Sequence, residues 1–168
     1  MESRIQVDQA AFDKLFEDSF DDYDLAENFG FFVEDYIFFP EDSREKTDLA
    51  LLALPPMIRR LYLAFIVKIA VDGDGFQSYF MQNGSEELLD ETARGLRMLA
   101  RGASANAFEK ARRYQPFRDF TERESVGDKN ASLIYSDFSD NFGDDYWDDI
   151  GKYLRQHRDT ALRFEDCA

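Results

Sequence analysis

The chain has 168 residues, 44% hydrophobic and 15% aromatic, with 35 acidic side chains against 20 basic ones and a net charge of −15. That length suits one domain with a packed core, and the aromatic content excludes a disordered acidic tail. The charge disfavours nucleic acid as a direct ligand, because phosphates would be repelled, and favours either a basic protein partner or simple solubility.

Apolar residues recur at spacings of three and four, and no clean alternating run is bounded by turns. The fold class is therefore all-α: a compact single domain over 1–168 with roughly seven to nine helices. Asp8 is placed to cap a first helix carrying Phe12, Leu15, Phe16 and Phe20. A second helix over 25–39 carries Leu25, Phe29, Phe32, Val33, Tyr36 and Ile37, and Pro40 ends it. Thr47 or Asp48 opens a short helix to Leu54. Pro55 and Pro56 suit the start of the most apolar helix, which runs to about Val71. Ser85, followed by Glu86 and Glu87, reads as a cap with acids in the first turn. That helix has an apolar stripe of Leu88, Leu89, Ala93, Leu96, Leu99 and Ala100, and Gly102 is placed to close it. Ser104 caps the next helix, through Tyr114. The polar stretch 117–132 reads as loop with a helical turn, and a last helical region runs from about 144 to 164, with Trp147, Ile150, Leu154, Ala161 and Leu162 inward.

The longest apolar stretch, LYLAFIVKIAV at 61–71, is too short to span a membrane and contains Lys68. The opening residues show no signal-peptide pattern, and the single cysteine, Cys167, can form no disulfide within the chain. A cytoplasmic location and no membrane partner are expected.

The charge is unevenly placed. Residues 1–50 carry a net −11 and residues 136–150 a net −6, whereas 51–135 carry +1. A charge serving only solubility would more often be spread out, so this asymmetry favours a binding role. The candidate partner-binding acids are Asp18, Asp21, Asp22, Asp24, Glu27, Glu34, Asp35, Glu41 and Asp42 in the first segment. Asp144, Asp145, Asp148 and Asp149 follow in the second. Asp145 and Asp148 stand three apart, so a helix puts them on one face at the cost of mutual repulsion. Phosphates on a DNA strand rise about 3.4 Å apiece, a lattice that carboxylates on rigid helices can approximate. Phe20, Tyr23, Phe142, Tyr146 and Trp147 interleave with these acids, either as core anchors or as interface contacts.

The stretch VDGDGFQSYFMQNG, 71–84, begins like a calcium loop. Counted from Asp72, however, position 5 is Phe76 and position 12 is Asn83, neither of which suits an EF-hand. A count from Asp137 puts Phe142 where Gly is required. One His, His157, and one Cys cannot complete a metal set, and His157 is expected to face solvent. No phosphate loop, nucleophile elbow or dinucleotide fingerprint appears, so no enzyme activity, metal or cofactor is expected. Gly73 and Gly75 are instead expected to turn the chain off the long apolar helix, with Phe76, Tyr79 and Phe80 pinning the next turns to the core.

The block GFQSYF at 75–80 follows a long apolar helix. It is followed by NGSEELLDETARGLRML at 83–99, the break GASA and a further helix. This order resembles the C-terminal domain of the small acidic bacterial DNA-mimic protein family, over roughly residues 55–115. Gly75, Phe76, Tyr79 and Phe80 match that family's aromatic block, while Asp74 and Ser78 replace its usual Gly and Gln. The resemblance implies an all-helical, acidic, cytoplasmic protein that occupies the DNA-binding face of a basic protein such as a transcription regulator. The candidate acids come from the charge count and not from the motif. The alternative is an acidic helical adaptor or structural protein whose charge only gives solubility. A homodimer is permitted but not required.

Overall fold

The computed structural model describes residues 4–37, 43–83, 85–114, 129–143 and 145–164. Among them are eight helices and no strand. They are α1 (Gln9–Asp18), α2 (Asp22–Ile37), α3 (Arg44–Ala53), α4 (Pro56–Gln82), α5 (Glu86–Met98), α6 (Gly102–Arg113), α7 (Lys129–Ser139) and α8 (Tyr146–Gln156). No helix of the described residues is long and apolar enough to cross a membrane.

α4 is the central element, with α2 and α8 on one side and α5, α6 and α7 continuing away on the other. Small residues set the closest approaches. A Cβ on Gly95 would lie 2.2 Å from the Arg60 carbonyl oxygen, so α5 rests directly on the α4 backbone. A Cβ on Gly151 would lie 2.0 Å from the Asp22 carbonyl oxygen, which brings α8 equally close to α2.

The aromatic block is core. Phe76, Tyr79 and Phe80 are fully buried. Rings then run in contact from Phe108 through Phe80, Phe76, Phe138, Phe142, Tyr146 and Trp147 to Phe65. Burying a polar tip requires a partner. Thr92 donates its hydroxyl proton to the Leu88 carbonyl (2.8 Å), so the Tyr79 hydroxyl is the donor in its 2.6 Å contact with Thr92. Tyr146 likewise donates to the Ala64 carbonyl.

Several expectations hold. Asp8 caps α1, its carboxylate accepting from the backbone N–H groups of Ala10 and Ala11. Ser85 caps α5 through the Leu88 N–H. The 71–84 stretch is a corner in a helix: α4 runs on through Gly73 and breaks at Gly75, whose φ of 83° and ψ of 177° are open to glycine. Gly73 lies inside the first arm and Gly75 alone makes the break, while Asp72 is engaged by Lys68 one turn earlier.

Other expectations are corrected. α1 stops at Asp18, which leaves Phe20 beyond it, 97% exposed and not part of its apolar stripe. α3 starts at Arg44, before Thr47. Ala100 is exposed and left-handed (φ 58°), and Gly102 opens α6 where it was expected to close α5. Arg101 N–H bonds back to the Leu96 carbonyl and Ala100 N–H to that of Arg97, the double bond pattern of a Schellman stop. Ser104 is buried inside α6 and is not its cap. α7 occupies 129–132, read as loop, because Ala131, Ile134 and Phe138 form a sparse inward stripe. The helix of the last region ends at Gln156 and turns follow it. His157 is half-buried, stacked on Tyr153 at 4.3 Å. Pro40, Cys167 and most of the 117–132 stretch lie outside the described residues.

Candidate partner-binding face

The two acidic segments are far apart in sequence, yet α2 and α8 pack side by side. They run antiparallel: Gly151 and Arg155 meet Asp22, while Trp147 borders a small cavity with Tyr23 and Glu27. The acids of residues 21–27 and 145–149 therefore occupy neighbouring helices.

Their local partners divide them. The Asp21 carboxylate accepts from the Asp24 N–H at 2.9 Å and so caps α2. Asp22 accepts from Arg155 Nε at 2.8 Å, and the same guanidinium reaches the Asp21 carbonyl at 3.2 Å. Asp149 is held by Arg101 and lies 3.9 Å from Lys152. These three side chains fasten helix ends and the α2–α8 contact. Asp18 faces Lys14 at 3.9 Å with both side chains exposed, a pairing worth little.

By contrast, Asp24, Glu27, Asp35, Asp145 and Asp148 form no salt bridge within the described residues. Glu34 is half-buried. Burial and the neighbouring Asp35 push its carboxyl above the ordinary range, against a hydrogen bond from Tyr62 that lowers it. Asp35 lies near the end of α2 away from the Asp22 contact. Glu41, Asp42 and Asp144 fall outside the described residues.

The aromatics separate the same way. Phe142 and Tyr146 are core, whereas Phe20 is exposed, Tyr23 is 48% exposed, and Trp147 is half-buried with its ring edge against Phe65. Phe31, 62% exposed on α2, joins the exposed aromatics. The helical stripe at 25, 29, 32, 33, 36 and 37 leaves position 31 out, so its exposure was findable from spacing. The counter-ions Arg101 and Arg155 gave no sequence signal, since they come from outside the acidic segments or from beyond their end.

A second carboxylate site lies across the molecule. Glu91 on α5 is buried, with Arg59, Arg60 and Arg94 on its two oxygens at 2.7 to 3.0 Å. Burial alone would raise its carboxyl, but hydrogen bonds and charges from Arg59 and Arg60 outweigh burial and hold it below the ordinary value. Among the described residues, no three His, Cys, Asp or Glu side chains are grouped as a metal would need.

No curated protein and no solved structure matches the chain. The DMP19-like protein family does match, over residues 52–160, well past the 55–115 span that carried the sequence resemblance. That match takes in α4 to α8 with the second acidic segment, and on it the chain belongs to the family of DMP19-like proteins.

Proposed function

We infer that the protein is a non-catalytic DNA mimic of the cytoplasm. It presents the α2–α8 carboxylates to a basic DNA-binding protein, such as a transcription regulator, and blocks its binding to DNA. The observation carrying this reading is the pairing of two acidic helices, with Asp24, Glu27, Asp145 and Asp148 in no salt bridge within the described residues. Such charges repel one another at some cost to the fold, and a basic partner relieves that repulsion on binding. Family membership and the aromatic block support the same reading. Phe20, Tyr23 and Trp147 supply the rigid apolar contacts that protein interfaces favour.

The test is displacement of DNA from candidate regulators, followed by fluorescence anisotropy. Excess protein is expected to release DNA at low salt and progressively less as salt screens the contact. The fourfold variant Asp24→Asn, Glu27→Gln, Asp145→Asn, Asp148→Asn is expected to lose displacement with its helical content intact. A variant that displaces DNA as well as the parent protein leaves the charge with solubility alone.

A further inference from the structure

The break at Gly75 redirects the second arm of α4, and residues of both arms line one cavity. As a result Met81 and Asn83 face Ile66 and Ile69 of the same helix across a cavity of about 460 Å³. Glu34 and Ile37 of α2 form another wall. A smaller cavity of about 160 Å³, bordered by Tyr23, Glu27 and Trp147, shares Phe65 and Ile69 with the first. Sharing those two side chains, the cavities adjoin on either side of Phe65 as a groove along α2. Tyr23 and Ile37 are fourteen residues apart in that helix, about 21 Å at 1.5 Å per residue.

The groove has an apolar floor and an acidic wall. Ile69 is 50% and Met81 54% exposed, so the floor is open to an incoming chain. Tyr23, Glu27 and Glu34 fall at helical spacing on the wall, and between the two acids the buried Gly30 lets Phe65 seat against α2: a Cβ there would lie 2.5 Å from the ring. Glu27 has no salt bridge within the described residues, and a cation near Glu34 would offset the burial that now penalises its charge. Arg44, at the α3 side, is the opposing charge, and it acts on the Asp48 carboxyl one turn away.

We propose that this groove receives an amphipathic basic helix of the partner protein, its apolar side chains on Ile66, Ile69 and Met81 and its Arg or Lys side chains at Glu27 and Glu34. A helix pressing anchors at i, i+4 and i+7 into an apolar trough needs a floor of about this length. Bases flanking those anchors match acids along one wall. The proposal rests on the acidic-face reading and adds an apolar anchor to it. Charge alone attracts any basic protein, whereas a shaped apolar floor selects among them.

Trp147, the single tryptophan, borders the groove and reports on its occupancy. The probes are two synthetic peptides of Leu, Ile and Arg, each about four helical turns long and identical in composition. One places its apolar residues at i, i+3, i+4 and i+7; the other is scrambled. The patterned peptide is expected to bind about tenfold or more tightly and to shift Trp147 emission. Ile69→Ser with Met81→Ser should remove that preference while weaker, salt-sensitive binding remains. Both positions are half exposed, so the fold should survive, which circular dichroism checks. Equal affinity for the two peptides overturns the groove and leaves the acidic face standing. So does a preference that survives the Ile69 and Met81 changes. Binding of neither peptide at low salt sinks both ideas. A preference that persists at the same strength in Asp24→Asn, Asp145→Asn, Asp148→Asn keeps the groove and overturns the wider acidic-face reading.

Discussion

Glu91 and Glu27 are the same side chain in opposite settings. Glu91 is buried between α4 and α5, and three arginines share its two oxygens. Glu27 stands exposed on α2 without a salt bridge within the described residues. One is fastened into the fold, whereas the other has no such tie among the described residues. What separates them is whether the neighbouring helix supplies a base. The middle of the chain, 51–135, is nearly neutral in composition, and among its described residues Glu86, Asp90 and Glu91 are each met by arginines. On the α2–α8 side, the described bases that pair are Arg155, Arg101 and Lys152, and they take Asp22 and Asp149. Net charge thus says little about a protein's purpose until its paired part is subtracted.

The comparison can be broken at several points. Replacing Glu91 with Gln leaves buried guanidinium groups without their counter-charge. It should cost about 3 kcal/mol and lower Tm by about 10 °C in a thermal melt. The Gly151→Ala substitution forces a methyl into the Asp22 backbone and should cost about 2 kcal/mol. It should also weaken displacement of DNA, because it separates the two acidic helices. A displacement activity unchanged in that variant would show that their close packing is not needed.

Acid titration sharpens the contrast, because the two sites have opposite signs. The Glu91 carboxyl is held below its unfolded value of 4.5, so the stability it contributes is present above that pH and is lost as pH falls through the folded value. Glu34 and Asp48 are raised, chiefly by burial, from 4.5 and 3.8. The folded state then holds their protons more tightly than the unfolded one, so their contribution grows as pH falls from neutral toward those unfolded values. Urea midpoints measured from pH 7 to pH 3 should show E91Q losing part of the acid-side decline and E34Q losing part of the rise that precedes it.

Two smaller effects follow. Ala100→Gly places the residue that tolerates a left-handed φ at the end of α5 and should stabilise by about 0.5–1 kcal/mol in urea unfolding. Neutralising Asp24, Glu27, Asp145 and Asp148 together should change stability by no more than about 0.5 kcal/mol per site. A large loss there would mean that these acids serve the fold as Glu91 does.

Much of the fold was legible because helices announce themselves locally. The caps at Asp8 and Ser85 and the stripe of α2 depend on residues within one or two turns of each other. The errors fell where local signals competed: Gly102 looked like a stop until Ala100 took the left-handed position, and α7 lay behind a polar run with only a thin apolar stripe. The candidate face was half legible. Counting charges located the acidic segments, but Asp22 and Asp24 are the same residue type two positions apart, and nothing in sequence separates the one that meets Arg155 from the one that meets no base among the described residues.

The sequence by itself determined an all-helical chain, a break near the glycines of 73–75, an aromatic block and two acidic segments, because each is set by neighbours along the chain. Only the tertiary structure decided that α2 and α8 lie together, which of their acids form salt bridges among the described residues, and that both arms of α4 line a cavity beside α2. The physical reason is that a counter-ion or an opposite wall comes from whichever helix packs there, and that choice is made by close backbone contacts such as Gly151 on Asp22 and Gly95 on Arg60.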